Sequence, residues 1–174
     1  MDKLRYPIGR YSFEGMTNKH REQWIIDIER LPGQLSAALA ELDDEQLDTS
    51  YRSGSWSVRQ VAHHLADASM NYFSRFKLAL TENNPTIKPF NEERWAETAD
   101  SLQASSAISL SIVEGIHARL VLLLRSLETA DFDKMFYHPE KGSQIGLAYF
   151  LGYVAWHGKH HVAQITSLRE RKDW

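Results

Sequence analysis

The feature that most constrains this chain is a proline-free run from Leu147 to Arg171. Its large apolar residues recur every three to four positions, which is the spacing of an amphipathic helix. They are Leu147, Leu151, Val154, Ile165 and Leu168. At about 100° per residue, His157 and His161 project within roughly 40° of each other along the apolar edge. The run therefore predicts a long helix with two imidazoles on its core side.

Two histidines spaced i, i+4 on a buried face can bind one metal ion, but hydrogen-bonded core histidines have the same spacing. The zinc metalloprotease motif would place a glutamate directly after the first histidine, where this chain has Gly158. The general base of that enzyme class is therefore missing, and a third ligand must come from another helix. His160 turns away from the apolar edge, which favours a role on the solvent side or behind the ligands.

Composition limits the classes of function. A chain of 174 residues with 43% hydrophobic and 25% charged residues predicts one domain, residues 1–174, around one core. The net charge of −3 disfavours a nucleic-acid partner, and the absence of cysteine restricts metal ligands to nitrogen and oxygen. The charged N-terminus is unlike a secretory signal, and no run of eighteen apolar residues predicts a transmembrane helix. We therefore expect a cytoplasmic protein without a membrane partner.

Three further helices are expected before the last one. Residues 1–17 contain Pro7 and two glycines and predict an arm across the surface. The apolar period over 18–42 predicts a helix that the Pro32-Gly33 pair kinks or splits. Ser57 and Gln60 form a capping-box signature, so a long helix should begin there and run to Thr81.

The helix that follows Ser57 carries two adjacent histidines. Helical projection places His64 at the edge of the core and His63 on the outer side near Asp67. A surface hydrogen bond or salt bridge between His63 and Asp67 is the simplest expectation. His64, by contrast, supplies the third nitrogen that the pair on the last helix needs for a three-histidine site of the catalytic zinc type.

The remaining segments connect these helices. Residues 83–104 predict a long crossover with a short helix over 91–97 that Asn91 caps. A third long helix follows Ser105, and His117 beside its apolar stripe is expected to be a buried histidine with hydrogen-bond partners. Residues 136–143 predict a turn-rich loop that leads into the last helix. A solvated Glu140 is favoured there over one that shapes the mouth of the site.

Several motifs together resemble the YfiT-like proteins of the DinB superfamily over nearly the whole chain. They are YPIG at 6–9, YRxGxWSVRQVxHHLAD at 51–67, RFKLxLTE at 75–82, FYHP at 136–139 and WHxxxH at 156–161. The resemblance implies an all-α fold, a DinB-like four-helix bundle with a long crossover connection, and a homodimer. It also implies one divalent ion per chain on His64, His157 and His161. One departure is Gln164, where a close relative has another histidine. This departure leaves the three ligands intact but puts in doubt whether residue 164 supports a ligand from behind.

The resemblance also implies a metal-dependent hydrolase. In this hypothesis Zn²⁺, or Ni²⁺ or another divalent metal, activates water to act on a small-molecule substrate. Related family members look like S-transferases that use bacillithiol or another low-molecular-weight thiol, and this alternative stays open. A non-catalytic bundle that a metal stabilises is the third alternative, and a fourth protein ligand would favour it. No general base stands out, and Asn71 and Arg75 are candidates for orienting substrate.

Overall fold

A computed structural model describes residues 2–174, with side chains from residue 3 onward. The helices are α1 (Asp2–Arg5), α2 (Asn18–Leu39), α3 (Asp44–Leu47), α4 (Val58–Thr81), α5 (Glu92–Trp95), α6 (Ala99–Gln103), α7 (Ser106–Ser126) and α8 (Leu147–Lys172). Short 3-10 turns cover Thr129–Asp133 and Pro139–Lys141. Strands β1 (Met135–His138) and β2 (Ser143–Gly146) pair antiparallel.

The four long helices form a ring. Helix α2 packs against α7 and α8, and α4 packs against the same two helices. The first two long helices of the chain are therefore diagonal to each other. The connection from α4 to α7 includes α5 and α6 and crosses the bundle. The predicted all-α four-helix bundle with a long crossover is confirmed.

Local sequence signals account for the helix boundaries. The Ser57 side chain accepts from the backbone N–H of Gln60, and the Gln60 side chain accepts from the backbone N–H of Ser57. This capping box begins α4 at the predicted residue. Pro32 does not split α2, which continues through it to Leu39, because the missing N–H removes one hydrogen bond while core packing holds both sides.

Close packing between α2 and α8 explains the glycine that follows the first histidine of α8. A Cβ atom built on Gly158 would lie 2.5 Å from Cδ2 of Leu31 on α2. Because Leu31 is itself buried at 4% exposure, the helices would have to move apart to admit a side chain. The position that carries a catalytic glutamate in zinc metalloproteases is therefore a helix-packing position here.

A hairpin replaces the loop that was predicted for residues 136–143. Phe136 of β1 lies opposite Ile145 of β2, and Gly142 turns the chain with a φ of 60°. The crossover adds an isolated parallel bridge from Thr86 to Tyr137. The loop prediction was wrong because these strands are short and their pairing depends on the buried Phe136 and on a distant segment.

Helix α7 bears on the expectation that no helix of this chain crosses a membrane. By length and composition alone it could cross a membrane. In this bundle α7 packs against α2 and α4 and buries Val113, Leu120 and Leu124. Its exposed side carries Glu114 and Arg119 near the middle, and both charges would be costly in lipid. The apolar composition of α7 therefore fits a bundle helix.

Candidate metal centre

Three buried histidines meet between α4 and α8. His64 lies on α4, whereas His157 and His161 lie one turn apart on α8. One ring nitrogen from each lies within 4.8 Å of the others. The Nε2 atoms of His64 and His157 are 3.2 Å apart. The structure thus brings together the three histidines that helical projection and the resemblance selected.

This arrangement fits a metal ion. Tetrahedral zinc with Zn–N bonds of 2.0–2.1 Å requires ligand nitrogens about 3.3 Å apart. The Nε2 distance between His64 and His157 is close to that spacing at 3.2 Å. Without an ion, one of these nitrogens can donate to the other, so the geometry serves both forms. Among the described residues, the group of converging ligand atoms contains these three side chains and no fourth.

Gln164 determines which ring nitrogen of His161 carries the hydrogen. Its side-chain nitrogen, Nε2, donates to the backbone oxygen of Arg5 at 2.9 Å. The side-chain oxygen could not donate there, so this contact fixes which way the amide group points. The Oε1 atom therefore faces His161 and accepts from its Nδ1–H at 2.9 Å. The Nε2 atom of His161 then carries the free lone pair, as a metal ligand must. Gln164 thus fixes the orientation and tautomer of His161 through this hydrogen bond, although it departs from the family pattern.

Burial keeps the three imidazoles neutral. Desolvation, followed by the neighbouring His160, lowers the pKa of His64 to about 4. Desolvation and the adjacent histidines lower the pKa values of His157 and His161 well below the usual range. Neutral imidazole is the form that binds metal, so protons compete weakly for this site at neutral pH.

A cavity of about 530 Å³ opens onto the histidines. Its walls come from the N-terminal arm, the segment before α4, the crossover and α8. They include Tyr6, Trp56, Gln60, Glu92, Tyr153 and Trp156. A larger groove of about 730 Å³ lies at the ends of α2 and α8 and contains none of the three histidines. Three protein nitrogens beside an open cavity match the catalytic type of zinc site, in which one position is left for water or substrate.

Comparison with known proteins places this geometry in a family. The model of the DinB superfamily matches residues 27–165. The chain belongs to the DinB superfamily. A protein of Bacillus mycoides is 53% identical and one of Bacillus cereus is 52% identical, each over the full length of both chains. Both bear the provisional name of a metal-dependent hydrolase.

A solved structure matches the whole fold. YfiT from Bacillus subtilis aligns with a TM-score of 0.96 and 44% identity, covering 99% of each chain. It is described as a probable metal-dependent hydrolase with an unusual four-helix bundle topology.

Two histidines next to the candidate ligands are buried rather than on the outer side. His63 is 5% exposed, and its ring nitrogens lie 2.7 Å from Ser109 Oγ and 3.1 Å from the Ala104 backbone oxygen. The expected pairing with Asp67 is therefore wrong. Helix α7 and the end of the crossover cover this face of α4, a tertiary contact that projection of one helix cannot reveal.

His160 is covered by the N-terminal arm. It is 6% exposed, stacks on Trp156 at 4.7 Å between ring centres and contacts Tyr6 at 5.5 Å. Its Nε2 lies 3.0 Å from Nε2 of Gln164, which donates, so the proton is on Nδ1, a buried atom without a hydrogen-bond partner in residues 2–174. The expectation that His160 lies on the solvent side is therefore wrong. Its buried position next to Gln164 agrees with the other expectation, that it lies behind the ligands.

His117 and the two residues that were candidates for orienting substrate, Asn71 and Arg75, all lie outside the histidine cluster. His117 is buried between the Ile28 backbone oxygen, 2.7 Å from Nδ1, and Ser69 Oγ, 3.1 Å from Nε2, as predicted. Asn71 donates to the Asp67 backbone oxygen on its own helix and does not line the histidine cavity. Arg75 is buried and lines a neighbouring cavity.

Glu92 and Tyr153 are site residues that the sequence did not indicate. Both line the histidine cavity, and the Tyr153 ring lies 5.7 Å from the His157 ring. Although Glu92 reaches solvent, desolvation by the cavity walls, followed by Glu93 and Glu140, raises its pKa. Glu92 lies on the crossover, so only the fold brings it near α8. The sole local signal was the Asn91 cap that begins its short helix.

Metal-free protein should lose stability as the pH falls from about 6.5 towards 4. Unfolding restores the usual pKa of 6.5 to His64 and His160, whose pKa values in the fold are about 4. Between these values the unfolded chain binds more protons, so the free energy of unfolding decreases as pH decreases. Thermal melts of metal-free protein at pH 7.5 and 5 test this. Equal melting temperatures at the two pH values would contradict this prediction.

Proposed function

We propose that this member of the DinB superfamily is a metal-dependent hydrolase whose divalent ion binds His64, His157 and His161. The convergence of three neutral, buried imidazoles on an open cavity carries this proposal. The names of the full-length relatives support the same activity. The nitrogen-only donor set suits Zn²⁺ best, with Ni²⁺ or another divalent ion as the alternative, one per chain.

The surrounding side chains have separable tasks in this proposal. When bound, the ion supplies Lewis acidity, which lowers the pKa of a ligated water towards about 7. Trp56 packs on His64 with ring centres 4.7 Å apart and restricts water on that side. The Glu92 carboxylate, with its raised pKa, is the proton acceptor that we assign within the cavity.

The direct test is an activity screen of zinc-loaded protein against panels of esters, amides and phosphoesters. Hydrolysis should depend on zinc and disappear in the Glu92→Gln variant while the ion stays bound. The same panel of electrophiles with a low-molecular-weight thiol tests the alternative of thiol transfer. If turnover occurs only when thiol is present, the activity is that of an S-transferase and not of a hydrolase. No turnover in either condition would favour a bundle that the metal only stabilises.

Gln164→Leu should weaken zinc binding by roughly 10- to 100-fold, the usual effect of losing an outer partner of a histidine ligand. The substitution removes the oxygen that accepts from His161 Nδ1–H, so the ring loses its fixed tautomer and orientation. Competition titration with a chromogenic chelator measures the affinity. Gln23→Leu, at an exposed position on α2, is the control and should bind zinc normally. Normal affinity in Gln164→Leu would exclude this role.

We also propose that the protein acts in the cytoplasm as a homodimer. Ile108 and Leu122 on α7 are 58% and 72% exposed and lie about 40° apart on one helix face. We place the subunit contact on this face, where two large apolar side chains are exposed beside Arg119. Light scattering should give about twice 20.1 kDa for the chain and close to 20.1 kDa for Leu122→Asp. Met135→Asp, an exposed position on β1, should stay dimeric, and a monomeric wild type would contradict the proposal.

A further inference from the structure

Helix α4 carries two buried arginines with opposite surroundings. Arg59 is 6% exposed and donates from Nε to Asp48 at 2.6 Å and from a terminal nitrogen to Asp44 at 2.8 Å. Arg75 is 7% exposed, yet within residues 2–174 no carboxylate pairs with it and its Nε has no hydrogen-bond partner. A guanidinium stays charged in proteins, so an unpaired buried one is costly. Arg75 therefore lacks the anion that Arg59 has.

A second buried polar side chain lines the same cavity as Arg75. The cavity measures about 390 Å³ and lies between α4, the crossover, the hairpin and α8. His138, at the end of β1, lines it, is 9% exposed and has an Nδ1 atom without a partner in the described chain. Desolvation, followed by Arg75 and Lys141, lowers the pKa of His138, so it offers a neutral ring. Two unpartnered polar groups at one cavity indicate a missing ligand.

The cavity walls restrict the chemistry of that ligand. Much of the lining is aromatic, with Phe90, Phe136, Tyr149 and Phe150. Exposed Glu92, Glu93 and Glu140 surround the mouth, so a doubly charged anion would be repelled there. A carboxylate carries one charge, and its two oxygens match the fork of a guanidinium. The site therefore favours a carboxylate on an apolar body.

This cavity adjoins the histidine centre. Cζ of Arg75 is 5.7 Å from the centre of the Tyr72 ring, which lies 5.2 Å from the centre of the His157 ring, so the guanidinium is at most about 11 Å from His157. Tyr153 and Glu92 line both cavities. A molecule that reaches from Arg75 to the histidines would therefore need only a few bonds between its carboxylate and its reacting group.

We propose that Arg75 and His138 bind the carboxylate of the substrate, whose apolar body lies against the aromatic wall while its reacting bond lies at the three histidines. The assignment of this carboxylate to the substrate rests on the proposed function. The carboxylate site itself stands on the unpaired Arg75 and the unpartnered His138.

Calorimetric titration with 3-phenylpropionate and its neutral isostere 3-phenylpropanamide tests the site directly. The full-length His157→Ala variant without metal is the protein to use, because a carboxylate cannot then bind at an ion. The acid should bind at least tenfold more tightly than the amide. Adding Arg75→Gln should abolish this preference, and Arg75→Lys should restore part of it. Equal binding of acid and amide, or an unchanged preference with Arg75→Gln, would overturn the proposal.

Two further measurements distinguish a carboxylate site from a phosphate site and from a purely structural arginine. Inorganic phosphate should not displace 3-phenylpropionate at equal concentration, and displacement would overturn the assignment to a carboxylate. Arg75→Met should melt at the same or a higher temperature than the wild type, whereas Arg59→Met should melt lower because its two aspartates lose their partner. A large drop in melting temperature for Arg75→Met would mean that the arginine is structural. Carboxylate binding without any hydrolysis would refute the proposed function and leave this site standing.

Discussion

His157→Ala is expected to abolish stoichiometric metal binding. The His157 ring lies 5.2 Å from that of His64 and 4.5 Å from that of His161. Removing it leaves two nitrogens, which cannot hold a divalent ion in a tetrahedral site of protein ligands. The loss of affinity should exceed the roughly 10- to 100-fold effect of removing an outer partner. Metal analysis after gel filtration measures the ion content.

A matched control separates ligation from damage to the core. His117→Ala also removes a buried imidazole from the bundle, but His117 bonds to the Ile28 backbone oxygen and to Ser69 instead of facing the cluster. It should lose stability and keep one ion per chain. His64→Ala and His161→Ala should behave like His157→Ala. Retention of a full ion in any of these three variants would remove that residue from the ligand set.

Chelation should abolish activity while the helices remain. The bundle buries two apolar clusters, one around Phe76 and Leu151 and one around Leu35 and Ile165, and neither depends on an ion. An ion that binds only the folded chain stabilises it by about 2.7 kcal/mol at a hundredfold excess over its dissociation constant. Removal of the ion should therefore lower the melting temperature without unfolding the protein at 25 °C.

Circular dichroism and turnover, recorded before chelation, after it and after zinc is restored, measure both effects. The helical signal should persist through all three states, and activity should return only with the metal. Collapse of the helical signal on chelation would show that the ion is needed for folding, as in a zinc finger. Activity in verified metal-free protein would contradict a metal-dependent reaction.

The helices and the histidine cluster were predictable because each depends on local periodicity. The capping box at Ser57 and the apolar stripe of α8 fix the orientation of His64 and His157 on their helices. Once the two helices pack, these side chains have to meet. The same reasoning was wrong for His63 and could not settle His160, because α7 and the N-terminal arm cover helix faces that appear outward in isolation.

The residues around the histidine cluster could not be predicted without the three-dimensional fold. Glu92 and His138 lie on the crossover and on a short strand, where no helical period indicates direction. The hairpin depends on pairing with a partner strand and on a bridge from Thr86, which are contacts between distant segments. Gln164 lies on the predicted helix, but its contact with the Arg5 backbone required the position of the arm.

The most direct test of the three-histidine centre is anomalous diffraction at the zinc edge from crystals of zinc-loaded protein. We predict one peak per chain, about 2.0–2.1 Å from one ring nitrogen of each of His64, His157 and His161. The fourth position should face the cavity that Glu92 and Tyr153 line, without a protein ligand. A peak elsewhere, or a fourth side chain on the ion, would contradict an open metal centre in this bundle.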